Sequence, residues 1–231
     1  MPPKVRFQRE EIVGAALDVA REKGIDAVTA REVARALKVS VGPIFTWFES
    51  MDQLKGAVHD RAKALYREYI ERGLEGLIPF LGVGQQYIRF AREEPELYKL
   101  LFLTRPGKVG GGAMAAMRLS QELSRESLMR VYNMDAATAD RYFRDMWLVV
   151  FSFATLIVTD SCPYTDEEMS AVLTEVSLSV CKAYKEIPGL PEGNFDRDGI
   201  FRELVQRQTG REGQGIPEEQ YAAIVNGGAA R

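Results

Sequence analysis

Chemically suggestive residues crowd between Thr29 and Lys55. Thr29 stands three residues before Glu32, and Ser50 three before Gln53, the spacing of a helix N-cap with its reciprocal partner. Ser40 immediately precedes the run Val41-Gly42-Pro43-Ile44-Phe45-Thr46-Trp47-Phe48 and is placed to cap a further short helix there. Helix starts present unpaired amides and the positive end of the helix dipole, which suit phosphate oxygens. The chemistry implied is the reading of a polyanion, not bond making. The Thr29 and Ser40 hydroxyls and the Arg31, Lys38 and Lys55 cations would meet phosphates, with Lys4 and Arg6 adding charge. Val41, Pro43, Thr46 and Trp47 would face the DNA, with Gly42 also in the contact, while Ile44, Phe45 and Phe48 form an apolar rear that locks the helix in place.

Little else is grouped for chemistry. The single histidine, His59, has no histidine partner, and Cys162 and Cys181 stand in no CxxC or Cys/His pattern. Neither a metal centre nor a disulfide framework is expected. The glycines from Gly107 to Gly112 are followed by no Gly-Lys-Ser/Thr, so a nucleotide-phosphate loop is excluded. No nucleophile motif or paired carboxylates stand out, so neither a cofactor nor enzymatic activity is expected. The net charge of −3 over 231 residues argues against wholesale polyanion binding. Residues 1–56 carry nine basic and eight acidic side chains, a net of +1, so binding must rest on where charges sit.

The elements that must position these residues are helical. Apolar side chains recur at helical spacing and no stretch alternates like a strand for long. Helices are predicted at about 8–23, 30–37, 41–48, 51–74, 80–93, 96–103, 114–132, 136–159 and 166–186, with shorter ones near 197–208 and 217–225. The fold expected is all-α: an N-terminal three-helix domain with a helix-turn-helix over residues 1–52, a larger helical bundle for ligand binding and dimerisation over 53–188, and an extension over 189–231. The most apolar window, Met146 to Thr159, is too short for a bilayer span, which takes roughly 20 residues. The N-terminus shows no apolar signal core. No membrane association is expected, and a cytoplasmic location follows by default.

The body is rich in residues that suit a site for small apolar or amphipathic ligands: Phe80, Tyr87, Phe90, Tyr98, Phe102, Met117, Tyr142, Met146, Trp147 and Phe151. Such residues equally fill a bundle core. The last two long helices carry apolar stripes, Met146, Val149, Val150, Phe153 and Ile157 on one and Met169, Val172, Leu173, Val176, Val180 and Ala183 on the other. These could pack within one chain or form a four-helix bundle between two.

The pattern Gly24-x4-Thr29-x2-Glu32-Val33-Ala34-x2-Leu37-x-Val39-Ser40-x-Gly42-x-Ile44-Phe45-x2-Phe48 resembles the signature of the TetR family of transcription regulators. It extends over residues 8 to about 58. The resemblance implies a homodimeric repressor that binds palindromic double-stranded operator DNA, holds an inducer pocket in its helical body, and pairs its last two long helices across the dimer. Val149, Val150, Phe153, Ile157, Met169, Val172, Leu173, Val176 and Val180 would then form the interface. Three residues depart from the family pattern: Phe45 replaces a usual Tyr, Met51 a usual Lys, and Lys38 a frequent Gly. Two rivals follow, an apolar-ligand module with vestigial DNA contact and, more weakly, a helical enzyme.

Overall fold

Capping decides where most helices begin. The computed structural model describes residues 7–76, 78–105, 107 and 111–209. In it the Thr29 hydroxyl accepts from the Glu32 amide ahead of α2 (Ala30–Leu37), and Ser50 from the Gln53 amide ahead of α4 (Met51–Leu74). The Asp135 carboxylate accepts from the Thr138 amide ahead of α8 (Ala136–Val158). Thr165 and Glu168 exchange both bonds of a capping box ahead of α9 (Asp166–Glu186). The box expected at Thr29 is half made, because the Glu32 carboxylate turns instead to Lys23, at 3.0 Å, and to Arg35. The Gln53 side chain likewise accepts from the Glu49 amide rather than that of Ser50.

The remaining helices are α1 (Arg9–Lys23), α3 (Gly42–Trp47), α5 (Pro79–Glu93), α6 (Pro95–Tyr98), α7 (Gly112–Tyr132) and α10 (Arg197–Thr209). Among the described residues there is no strand. The helix expected over 96–103 is one α-turn followed by a wider π-turn, Lys99–Leu103. Lys4, Arg6, Gly110 and the helix expected near 217–225 lie outside the described residues.

The chain divides into two compact units, Met1–Lys185 and Glu186–Arg231. In the second, Asp196 accepts from the Gly199 amide at the start of α10. In the first, packing continues past the division expected at residue 52. α1 lies against both α4 and α6. The Arg21 guanidinium donates twice to the Glu94 carboxylate, at 2.9 and 2.6 Å. α4 and α5 make the broadest contact of the fold, and they cross at Gly73 and Gly82, where backbone meets backbone. α5 also packs on α8, which places it between α4 and α8.

Candidate functional site

α3 is one and a half turns long, and its two faces differ sharply. Ile44 and Phe48, one turn apart, are fully buried and fasten it to the core formed by Val33, Leu54 and their neighbours. Val41, Phe45 and Trp47 are 41, 49 and 43% exposed, and Gly42 and Thr46 are exposed beside them. Pro43 is half-buried in the first turn, where its fixed φ suits a helix start. Phe45 is therefore not part of the rear. It follows Ile44 by one residue, about 100° around the helix, and so leaves the buried face. Ser40 does not cap α3 either. Val41 takes that position with a helical backbone, and no side chain bonds the free amides there.

Trp47 holds as well as faces outward: its indole N–H donates to the Phe7 carbonyl at 3.0 Å, tying the segment before α1 to α3. The turn between α2 and α3 is closed by Lys38, whose φ of 57° is left-handed and whose amide donates to the Ala34 and Arg35 carbonyls. Thr29, Arg31, Lys38 and Ser40 are exposed, and Lys55 is half-buried one turn into α4. The Thr29 oxygen caps α2, which leaves its O–H as a donor for an acceptor outside the protein. Exposed hydroxyls, cations and free amides around a short, firmly held helix can grip phosphates and present side chains to a groove.

A cavity of about 290 Å³ opens between α4, α5, α7, α8 and α9. Phe80, Tyr87, Met146 and Trp147 line it, joined by Tyr66, Val83, Gly84, Ser120, Phe143, Val150, Leu173 and Ser177, which their residue types did not single out. Spacing held a signal for some of these: Gly84 lies one turn from both Phe80 and Tyr87, and Val150 one turn from Met146. The other expected pocket residues lie elsewhere. Phe90, Tyr98 and Phe102 pack behind the wall, with ring centroids 5.2 Å from Tyr66 to Phe90 and to Phe102, and 4.6 Å between Tyr98 and Phe102. Tyr142 backs Phe80 at 5.1 Å and hydrogen-bonds Ser177. Phe151 stacks on Trp147, and Met117 belongs to the general core. Burial pushes the phenols of Tyr66, Tyr87 and Tyr142 far above their usual value, so they stay neutral. The buried Trp147 N–H has no hydrogen-bond partner, although it lies close enough to influence the Tyr87 hydroxyl.

Residues 12–58 match the family model for bacterial regulatory proteins of the tetR family. The N-terminal part of the chain thus carries a domain of the tetR type. A domain of this type indicates a transcriptional regulator rather than an enzyme. No curated protein matches it. Among solved structures it is similar to a protein of unknown function from Rhodococcus sp. RHA1, with 19% identity over 79% of this chain and 98% of that one, TM-score 0.60. It is also similar to a tetR-family transcriptional regulator from Streptomyces coelicolor, with 17% identity over 96% and 97%, TM-score 0.57. A third likeness is to TetR-Q116A from Acinetobacter baumannii AYE in complex with minocycline, with 18% identity over 78% and 97%, TM-score 0.51. At these identities the likeness is one of fold.

In the helical body, α8 and α9 divide the residues expected at a dimer interface. Val150, Phe153, Met169 and Leu173 are buried within the chain, two of them in the cavity wall, so they have no surface to offer a partner. Val149, Ile157, Val172, Val176 and Val180 are half-buried. Leu148 and Leu178, not singled out by the stripe, are the exposed leucines of these helices. Among the described residues no helix is long and apolar enough to cross a membrane.

Proposed function

We propose that this regulator is a ligand-responsive, cytoplasmic repressor that binds palindromic operator DNA as a homodimer. Residues 1–52 read the DNA, 53–188 hold the ligand and the dimer face, and 189–231 form an extension. The observation that carries the reading is α3, a helix riveted from behind by Ile44 and Phe48 with Val41, Phe45, Thr46 and Trp47 outward. A two-fold pair would set two such helices about one DNA turn apart, roughly 34 Å. The incompletely covered α8 and α9 faces supply apolar surface for the pairing.

Ligand control has a physical route. α4 begins beside α3 and carries Tyr66 into the cavity wall. The rings behind that wall continue through Phe102 and Tyr98 into α6, which packs on α1 beside the Arg21–Glu94 pair. A small apolar ligand that prefers one arrangement of these helices shifts the population of DNA-competent dimers by its differential affinity. The solved relative in complex with minocycline supports a ligand site on this fold.

Selection from a random duplex library with the purified chain tests the proposal. It should enrich an inverted repeat whose half-sites are spaced by about 10 base pairs or a multiple of that. Affinity for the selected site should fall steeply with salt, and Trp47→Ala should weaken it while the body stays folded. A selection without enrichment, or binding indifferent to salt, overturns the reading.

A further inference from the structure

The size, charge and open valences of the α4–α9 cavity together restrict what it can hold. Its 290 Å³ is about twice the ~150 Å³ apolar cavity that accommodates a benzene ring. No Asp, Glu, Lys, Arg or His side chain lines it. An ionic ligand would thus lose its water without gaining a counter-charge. Even the mouth is greasy, since Ile78, Val131 and Leu178 stand there more than 45% exposed.

The polar groups of the wall are largely spoken for. Tyr66 and Ser120 bond each other, the Tyr87 hydroxyl donates to Tyr98 at 3.3 Å, and Ser177 pairs with Tyr142 at 2.6 Å. Trp147 differs. It lines the cavity, is 5% exposed, and its indole N–H has no hydrogen-bond partner. That group can donate only, and native interiors rarely leave such a donor unmade. The ring walls of Phe80, Phe143 and Tyr87 favour a flat, aromatic occupant.

We propose that the cavity takes a neutral, aromatic molecule of about two rings bearing one hydrogen-bond acceptor, a carbonyl or ring nitrogen, which receives the Trp147 N–H. The inference rests on the reading of this cavity as the ligand site. It excludes cationic and carboxylate ligands.

Calorimetry on the full chain with four matched probes tests it: acetylnaphthalene, naphthalene, naphthoate and naphthylmethylammonium. Acetylnaphthalene should bind about fivefold more tightly than naphthalene, the worth of one hydrogen bond, and both far more tightly than the two ions. Trp147→Phe should bring the ketone-to-hydrocarbon ratio to about one, whatever it does to either affinity alone. Gly84→Leu, which fills the space in front of Val150 and Leu173, should abolish binding of both and serves as the test if the Trp147 variant does not fold. Binding of an ion as tight as the ketone, a ratio near one in the parent, or binding of none of the four overturns the proposal. Operator affinity measured with each probe separates the two readings. A ketone that binds with no effect on DNA supports the ligand class and removes the ligand-responsive role. A response to an ion alone removes the class and keeps the role.

Discussion

α4 and α5 meet at Gly73 and Gly82 with no side chain between them, and a single methyl group tests that crossing. A Cβ added at Gly82 would lie 2.3 Å from the Gly73 carbonyl oxygen and 3.1 Å from its carbon. One added at Gly73 would lie 2.7 Å from the Gly82 carbonyl group and the Val83 Cα. Carbon atoms rest about 3.5–4.0 Å apart, so the two helices must part by roughly 1 Å. Main chain forms the obstacle on both sides, and no rotamer relieves it. Overpacking of this kind costs about 1–3 kcal/mol. Alanine returns about 0.5–1 kcal/mol through its better helix propensity. Gly82→Ala should therefore lose about 1–2 kcal/mol, which lowers the melting temperature by about 2–8 °C for a chain of this size. Gly56→Ala in α4 and Gly14→Ala in α1 are the controls, because an added Cβ meets nothing within 4 Å there. They should gain about 0.5–1 kcal/mol from propensity alone. Thermal and urea unfolding followed by circular dichroism reads all three. If Gly82→Ala melts at or above the parent, the helices do not approach as closely as described.

Phe45→Tyr adds a hydroxyl to an exposed ring. Stability should hold within about 0.5 kcal/mol, while operator affinity rises about tenfold if the phenol reaches a phosphate; equal affinity in an anisotropy titration would place the ring away from the DNA backbone. Lys38→Gly relieves a left-handed L-residue at the α2–α3 turn. It should stabilise the fold by up to about 1 kcal/mol and lower the salt slope of DNA binding by about one; a slope equal to the parent's counts against a Lys38–phosphate contact. His59 is held below its usual 6.5 chiefly by burial, with Lys63 reinforcing and Asp60 opposing. A depressed base binds its proton better in the unfolded chain, so the parent should lose stability as pH falls through 6.5 towards the folded value. Glu93 and Asp166, lowered first by their bonds to Tyr69 and Arg92, act in a separate window, losing their contribution only as pH falls below 4.5 and 3.8. His59→Gln should therefore flatten the urea midpoint between about pH 7.5 and about 5.5, and an undiminished slope would assign the loss to other groups.

The helix starts were legible in the sequence because hydroxyls and carboxylates at N-cap spacing act locally. Thr29, Ser50, Asp135 and Thr165 all cap in the folded chain. Phe45 was misplaced because a six-residue helix has too few turns to fix the phase of its apolar face, and an aromatic ring reads as interior. Ser40 failed as a cap because the turn after Lys38 delays the helix by one residue, and Val41 occupies the cap position. The cavity was harder still. Residue type picked out Phe90, Tyr98 and Phe102 as readily as Tyr87, yet only tertiary packing decides which ring faces the void and which stands behind it. Gly84 and Leu173 shape the wall by what they leave empty or fill, a property no residue carries alone. The α8 and α9 stripes were split for the same reason: Val150 and Leu173 are apolar at the right spacing but are consumed by their own chain.

The bare crossing at Gly73 and Gly82 also sets a lever ratio. From Gly73 back to Met51, α4 runs 22 residues, an arm of about 33 Å at 1.5 Å per residue. Rocking that arm by about 3° around the crossing swings its far tip by roughly 1.7 Å. In the proposed two-fold pair the swing would change the gap between the tips by about 3.4 Å, the height of one base-pair step. If the chain pairs and reads DNA as proposed, a tilt of this size is enough to put the two tips out of step with a double helix.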